Sequence, residues 1–313
     1  MIVSASYRTD IPAFYAEWFR RRLDAGQAQT VNPYNGRTST LDLTPAGCAG
    51  FVFWTRNIRP LWPVLRTLAV AVAARPFVVQ YTITGYPRSL EASVVAPDRA
   101  VADIRALAEA FGPACVVWRY DPVLWSDATP PDAHRARFAD LADSLRGAVD
   151  EVVLSAATIY AKTRRNLNSA AARHGFTWWD PPQEAKAALL ADLGAMAAAR
   201  GMTPTLCAQP DLLAAASSQR PGHALRAARC IDAARLSRVA GQPIQATAKG
   251  NRPGCHCAAA RDLGAYDTCP HGCMYCYAVR RPDLAKQRYA RHDPGAPGLV
   301  PPTSVPPDSA SKA

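Results

Sequence analysis

The chain has 313 residues, of which 49% are hydrophobic and 19% are charged. These proportions allow a substantial core and exclude a disordered tail or a small disulfide-stapled domain. No apolar run reaches the roughly 20 residues of a transmembrane helix, and the N-terminus resembles a strand more than a signal peptide, so we expect a cytoplasmic protein with no membrane partner. The net charge of +11 favours an anionic partner such as a nucleic acid or a nucleotide; a basic but merely solvated surface is the alternative.

Short β-branched and aromatic runs alternate along the chain with longer Ala-, Leu- and Arg-rich segments of helical period. This alternation predicts βα units around a parallel sheet. Strands are predicted over residues 2–6, 50–54, 77–84, 115–120, 151–156 and 203–208, with a weaker one near 244–247. Helices are predicted over residues 11–25, 58–73, 97–111, 131–149, 184–200 and 223–236.

These units predict an α/β fold in the form of a (β/α) barrel or an incomplete TIM-type barrel, an architecture of about 250 residues. An open, doubly wound sheet is the competing fold. We assign residues 1–250 to the barrel-like domain and residues 251–281 to a cysteine-rich segment packed on the barrel mouth. Residues 282–313 form a Pro-, Gly- and Ser-rich tail that we expect to be mostly disordered.

Charged side chains follow several predicted strands at their carboxyl ends. Those that we select as candidates for binding a cofactor or substrate, and so for the catalytic site, are Arg8, Asp10, Arg56, Arg119 and Asp121. In a parallel barrel these strand ends meet on one face, which predicts a polar mouth there. Ordinary loop polarity is the alternative. Because a buried unpaired charge is costly, Arg8 with Asp10 and Arg119 with Asp121 could also simply neutralise each other.

The nine cysteines are unevenly distributed. Four are scattered, whereas five fall between positions 255 and 276: Cys255, Cys257, Cys269, Cys273 and Cys276. In a reducing compartment we expect no disulfides among them. The clustering therefore indicates a metal site.

The segment CPHGCMYC, residues 269–276, spaces three thiols as C-x3-C-x2-C. Three thiolates on one short loop can bind three irons of a cubane 4Fe-4S cluster and leave the fourth iron without a protein ligand. Gly272 gives the loop backbone freedom, and Pro270 restricts it. Zinc is the alternative, with His256 and His271 nearby, but zinc modules usually pair two C-x2-C turns, so we favour iron and sulfur.

With Tyr275 before the third cysteine, this motif resembles the signature of the radical S-adenosylmethionine (SAM) enzymes. The resemblance implies that Cys269, Cys273 and Cys276 hold the cluster and that Tyr275 lies near the adenine of SAM. An electron from the cluster would cleave SAM to a 5′-deoxyadenosyl radical that abstracts hydrogen from a substrate, with a donor such as flavodoxin or ferredoxin as partner.

The motif usually follows the first strand of the barrel in that family, whereas here it follows the last. Because a nearly closed barrel places its last strand beside its first, we expect the cysteine loop to reach the mouth near Arg8 and Asp10.

The longer segment 255–278 is similar to the C-terminal signature of a bacterial family known as domain of unknown function 1848. The similarity extends through residues 1–10, 53–57, 80–86, 119–122, 207–209 and 230–232, and so covers most of the chain to about residue 278. The cysteine tail of that family is similar to that of spore photoproduct lyase, which implies a nucleic-acid base as a possible substrate. Two positions are atypical: Gln209 stands where Glu is expected, and Ala260 where Ser is expected.

Four further cysteines could form a second, fully ligated 4Fe-4S site: Cys207, Cys230, Cys255 and Cys257. The alternative for Cys207 and Cys230 is that they are small buried hydrophobes, as we expect for Cys48 and Cys115. If Cys255 or Cys257 closed the first cluster instead, SAM could not bind. The protein would then be an iron-sulfur or zinc protein that carries electrons or binds nucleic acid.

Overall fold

The structure is a computed structural model that describes residues 1–70, 75–219 and 225–301. In chain order its strands are β1 (Ile2–Ala5), β2 (Gln27–Val31), β3 (Thr38–Asp42), β4 (Gly50–Thr55), β5 (Phe77–Thr82), β6 (Val116–Val123), β7 (Trp125–Ser126), β8 (Glu151–Ala156), β9 (Trp178–Trp179), β10 (Thr203–Leu206), β11 (Arg226–Ala227) and β12 (Ala260–Asp262). Its helices are α1 (Ile11–Phe14), α2 (Ala16–Asp24), α3 (Trp62–Val70), α4 (Pro97–Phe111), α5 (Pro131–Ser144), α6 (Ala161–His174), α7 (Gln183–Ala198), α8 (Pro210–Gln219), α9 (Ala233–Ala240) and α10 (Pro282–Ala290).

Eight strands form a central parallel sheet in the order β11-β10-β8-β6-β5-β4-β1-β12. Seven of them follow their order in the chain, and β12 returns to lie beside β1. No ladder joins β11 to β12 within the described residues, although Ala258 N donates a 2.9 Å hydrogen bond to Ile231 O between these two edges. The fold is thus a mixed α/β fold with a parallel sheet flanked by helices, compatible with a barrel-like architecture.

The central strands are buried on both faces, because successive side chains of a strand point to opposite sides. Side chains such as Phe51, Trp118 and Leu154 pack on one face in the large core that includes the helices. On the other face a second apolar cluster contains Ile2, Val52, Val78, Val117 and Val153. These continuous apolar runs explain why six of the central strands are recognisable in the sequence.

Six strand predictions coincide with β1, β4, β5, β6, β8 and β10, with ends that differ by a few residues. The weaker strand near 244–247 is wrong: within this part of the chain Ala248 forms only an isolated bridge to Ala258. The polar hairpin of β2 and β3 and the short edge strands β11 and β12 were not predicted.

The predicted helices 97–111 and 184–200 correspond to α4 and α7, and 131–149 corresponds to a shorter α5. The predicted helix 11–25 is divided at Tyr15, whose hydroxyl donates to Thr268 O at 2.6 Å. Residues 71–73 of the helix 58–73 lie outside the described residues, as do 223 and 224 of the helix 223–236. The predicted helix 223–236 is wrong at Arg226–Ala227, which form strand β11. Helix α9 begins only after Asp232, whose carboxylate caps it. The sequence analysis did not predict α6, α8 or α10.

Residues 282–301, part of the segment for which a mostly disordered tail is expected, form α10 and make defined contacts with the rest of the fold. Beyond α10, Ala296 O accepts a 2.9 Å hydrogen bond from Trp18 Nε1, and Pro297 O accepts one of 2.8 Å from Gln29 N. Leu299 is buried in the main core. The segment is ordered because its carbonyls satisfy donors of α2 and β2; residues 302–313 of the predicted tail lie outside the described residues.

Across the described ranges, none of the helices is both long enough and apolar enough to cross a bilayer.

Candidate functional site

A cavity of about 410 Å³ lies at the carboxyl ends of the central strands. Every side chain that the sequence analysis selected as a site candidate lines it: Arg8, Asp10, Arg56, Arg119, Asp121, Tyr275, Cys207, Cys230, Cys255, Cys257, Cys269, Cys273 and Cys276. Cys48 and Cys115 lie instead in the main core, as predicted. The cavity therefore brings together residues that follow strands across nearly the whole width of the sheet.

The pairing of β12 with β1 delivers the cysteine loop to this cavity. Ile2 is opposite Ala260 and Ser4 is opposite Asp262, so the chain that leaves β12 emerges beside the carboxyl end of β1. The strand beside β1 is thus β12, which the sequence analysis did not predict. Residues 269–276 follow directly and line the cavity wall through Cys269, Cys273 and Cys276, which we call the motif thiols.

The cysteine loop is held by backbone hydrogen bonds to residues 90–93. Met274 N donates to Leu90 O at 2.9 Å, and Ser93 N donates to His271 O at 2.9 Å. Between these bonds Gly272 has φ +71, in the left-handed region that glycine adopts most easily. The backbone conformation at residue 272 therefore favours glycine, as the sequence analysis predicts.

A buried network fixes Tyr275 at the cavity wall. Arg56 donates to the Tyr275 hydroxyl at 2.6 Å and to Glu91 Oε1 at 2.8 Å, and Glu91 also accepts hydrogen bonds from Tyr275 and Thr84. Burial, only partly opposed by Arg56, raises the pKa of Tyr275 well above its usual value, so this hydroxyl stays protonated. The sequence analysis missed Glu91, because no strand or motif marks the loop in which it lies.

Asp10 links the cysteine loop to the ends of β1 and β4. Its oxygens accept hydrogen bonds from His271 Nε2 at 2.7 Å, Thr55 Oγ1 at 2.8 Å, Arg56 N at 2.8 Å and Ala13 N at 2.9 Å. With both oxygens engaged in this way, the carboxylate acts on the cavity by positioning the loop.

The predicted neutralisation of Arg8 by Asp10 is wrong. Arg8 Nε lies 3.8 Å from Asp262 Oδ1, and the guanidinium stands over the rings of Tyr7 and Tyr266 at 5.4 and 5.3 Å. Asp262 belongs to β12, whose position beside β1 could not be read from the sequence. Within the described part of the chain, Arg8 Nε is buried without a hydrogen-bond partner.

The predicted pairing of Arg119 with Asp121 is confirmed. Asp121 also accepts a hydrogen bond from Ser155, and although burial alone would raise the pKa of Asp121, Arg119 and Ser155 hold it below its usual value. Arg119 additionally donates to Gln80 Oε1 and contacts Cys230 Sγ, both at 3.1 Å. The guanidinium thus connects the ion pair to sulfur.

The remaining cavity cysteines, Cys207, Cys230, Cys255 and Cys257, form a second thiol group. Cys207 Sγ lies 3.6 Å from Cys230 Sγ. Cys257 Sγ accepts a hydrogen bond of 3.4 Å from Ile231 N, the residue after Cys230, and Cys255 lies two positions before Cys257. All four are free thiols.

Nearly all of the cavity thiols have a raised pKa. Burial raises the pKa of all three motif thiols, that of Cys273 to about 12. In the second thiol group, neighbouring thiols and burial raise the pKa of Cys207, Cys230 and Cys257, that of Cys230 to about 11, and only the pKa of Cys255 is lowered, to about 6. Since metals bind the thiolate, loading of the motif thiols must release protons.

The hydrogen bonds of Gln209 explain why an amide stands at this position, where Glu is expected. Its side chain accepts from Ala156 N at 2.8 Å and donates to Ala156 O at 2.9 Å. An ionised Glu could not donate the second bond. Gln209 thus holds the end of β8 in place. The other atypical residue, Ala260, lies in β12.

Fold and cavity together define an α/β protein with a thiol-lined cavity at the carboxyl end of a parallel sheet. The chain belongs to the family described as Domain of unknown function (DUF1848), whose family model matches residues 2–278. This match confirms the family resemblance and includes both thiol groups. No curated protein matches the chain. The family description names no reaction, so the function is argued from the site.

Proposed function

We propose that the protein is a radical SAM-type enzyme in which Cys269, Cys273 and Cys276 hold an open 4Fe-4S cluster. The observation that carries this proposal is that all three motif thiols line the cavity in which the charged strand ends meet. In this proposal the central sheet is an incomplete barrel whose mouth is the reaction chamber.

The donor set suits such a cluster. Three free thiols on one loop are soft ligands of the kind that iron-sulfur clusters take. Within the described residues, no set of three or more His, Cys, Asp or Glu side chains has the geometry of a site for one metal ion. Each cysteine of a cubane binds a different iron, so its ligands surround a volume and need not converge on a point.

When bound, the cluster would supply one electron to SAM and so generate a carbon radical that abstracts hydrogen from the substrate. The chain's own residues prepare the chamber for this chemistry. Asp10 and Glu91 fix the cysteine loop and Tyr275, and the Arg8 guanidinium lines the cavity beside Asp262. We infer that Arg8 binds the carboxylate of SAM or a phosphate of the substrate.

A nucleic-acid base is the substrate class that the cavity rim supports. The side chains of Tyr160 and Tyr277 line the cavity and are 42% and 43% exposed, which provides rings for stacking. The net charge of +11 also favours a phosphate-bearing substrate. In this proposal a flavodoxin or ferredoxin supplies the electron.

The decisive experiment is anaerobic reconstitution with iron and sulfide, reduction with dithionite and addition of SAM. We expect 5′-deoxyadenosine from the wild-type protein, measured by mass spectrometry, and none from Cys273→Ala. Cys48→Ala is the matched control, because Cys48 is a buried free thiol outside the cavity. Absence of 5′-deoxyadenosine, with an EPR signal unchanged by SAM, would identify a closed cluster and an electron carrier. Zinc without iron would exclude this enzymatic function.

A further inference from the structure

We propose that the second thiol group, Cys207, Cys230, Cys255 and Cys257, binds an additional iron-sulfur cluster that is fully ligated by the protein. Neither the family match nor the proposed SAM chemistry assigns a role to these four residues. The inference is independent of the open cluster and is carried by three observations: sulfur contacts, the position in the sheet, and the surrounding cations.

The first observation is that the four thiols lie close together at one cavity. Cys207 Sγ and Cys230 Sγ are 3.6 Å apart, and Cys257 Sγ accepts a hydrogen bond of 3.4 Å from Ile231 N, the residue after Cys230. Isolated buried cysteines pack as small hydrophobes, as Cys48 and Cys115 do in the main core. The members of the second thiol group also pack in or against an apolar cluster, but all four line the same cavity.

The second observation is where the thiols lie. Cys207 follows β10, Cys230 lies after β11, and Cys255 and Cys257 precede β12. These segments meet at the edges of the sheet that no ladder joins in the described residues. Ile231 N donates to Cys257 Sγ at 3.4 Å, which holds the two edges in register at this point. A cluster bound here would cross-link β11 to β12 where strand pairing does not.

The third observation is a pair of arginines directed at sulfur. The buried Arg119 guanidinium lies 3.1 Å from Cys230 Sγ, and Arg252 Nη2 lies 3.7 Å from Cys207 Sγ. A neutral thiol is a weak acceptor and a thiolate a strong one, so two cations placed this way would stabilise these sulfurs as metal-bound thiolates. Metal-bound thiolates carry that charge, and the arginines would offset the net negative charge of a four-thiolate cluster.

The ligand is an iron-sulfur cluster in preference to one zinc ion. In the described residues, none of the groups of three or more His, Cys, Asp or Glu side chains is arranged to hold one metal ion. In an iron-sulfur cluster the thiolates are divided among several irons, so all four need not converge on one point. The same soft donors select against hard cations.

Iron and sulfide analysis of the anaerobically reconstituted full chain tests the proposal. Two paired variants are compared, Cys255→Ala with Cys257→Ala, and Cys207→Ala with Cys230→Ala, so that a folding defect in one does not decide the result. We expect the iron content of each to fall by about half relative to wild type and to Cys48→Ala. Far-UV circular dichroism confirms the fold of each variant.

Failure of this proposal is distinguishable from failure of the open cluster. In Cys273→Ala we expect a remaining EPR signal that SAM does not change, whereas the paired variants should keep a signal that SAM does change. Wild-type iron content in both folded paired variants would overturn the proposal. One zinc ion per chain that is lost in a paired variant, or a disulfide between Cys207 and Cys230 in the reconstituted protein, would also overturn it.

Discussion

Glu91 is the anion on which both the buried Arg56 and the motif residue Tyr275 depend. It joins three segments, because Arg56 follows β4, Glu91 itself pairs with the cysteine loop at Cys273, and Tyr275 belongs to that loop. Both members of the ion pair are buried. Removal of the negative charge would leave an uncompensated guanidinium away from solvent, which costs far more than the loss of an exposed pair.

Glu91→Gln is therefore expected to lower the free energy of unfolding by about 3 kcal/mol, a magnitude typical of a broken buried pair. Urea denaturation of the metal-free protein measures the effect without interference from cluster binding. Glu17→Gln is the control, because it removes the same charge from an exposed pair with Arg20 and should leave stability nearly unchanged. Equal changes in the two variants would show that the network at Glu91 does not anchor the loop.

At the scale of elements, the segment after α10 acts as a strap across the amino-terminal part of the fold. Its carbonyls at Ala296 and Pro297 receive hydrogen bonds from Trp18 and Gln29, and Leu299 enters the main core. His292 of the strap packs edge-on against Tyr15 and Trp18, with ring centroids 4.8 and 6.4 Å apart. The strap thus supports α2 and the residue that joins it to α1.

Truncation after Arg291 should lower the melting temperature and expose the amide of Gln29 to rapid hydrogen exchange, since its acceptor at Pro297 is lost. A chain that ends at Pro301 keeps every contact just described and serves as the control. Calorimetry and amide exchange detected by mass spectrometry report the two effects. Identical behaviour of the two truncated chains would contradict a supporting role for the strap.

For the molecule as a whole, the net charge of +11 predicts that any nucleic-acid substrate binds more weakly as the salt concentration rises. Binding of a single-stranded oligonucleotide, followed by fluorescence anisotropy, should weaken roughly tenfold or more between 50 and 200 mM salt if about three phosphates are neutralised. Tyr160→Ala should weaken binding by roughly tenfold through lost stacking, with the exposed Tyr34→Ala as the control. A flat salt response would remove nucleic acid as the substrate class.

Much of the fold could be predicted because the central strands are buried on both faces. Runs such as those of β4 and β8 are continuously apolar, which is visible without knowledge of the partners. The hairpin of β2 and β3 is largely polar, and β12 has only three residues, so neither carries a strong periodic signal. The order of residues 282–301 arises from hydrogen bonds to α2 and β2 that local composition does not encode.

The candidate site, like the fold, could be predicted only in part. The residues selected from the cysteine spacing and the strand-end charges all line one cavity, because parallel strands bring their carboxyl ends to the same edge. The partners of those charges were harder to predict. Arg8 meets Asp262 and Arg56 meets Glu91, and both acids lie in segments whose position depends on the complete tertiary structure.

The ladder between Ile2 and Ala260 sets the order of events during synthesis. One edge of the first strand stays open until residues 260–262, its partner, have been synthesised. Such a distant pairing is completed slowly. The chamber wall made by β4 to β10 is translated before Cys269, Cys273 and Cys276, so any metal that these thiols bind would be inserted only after that wall has been made.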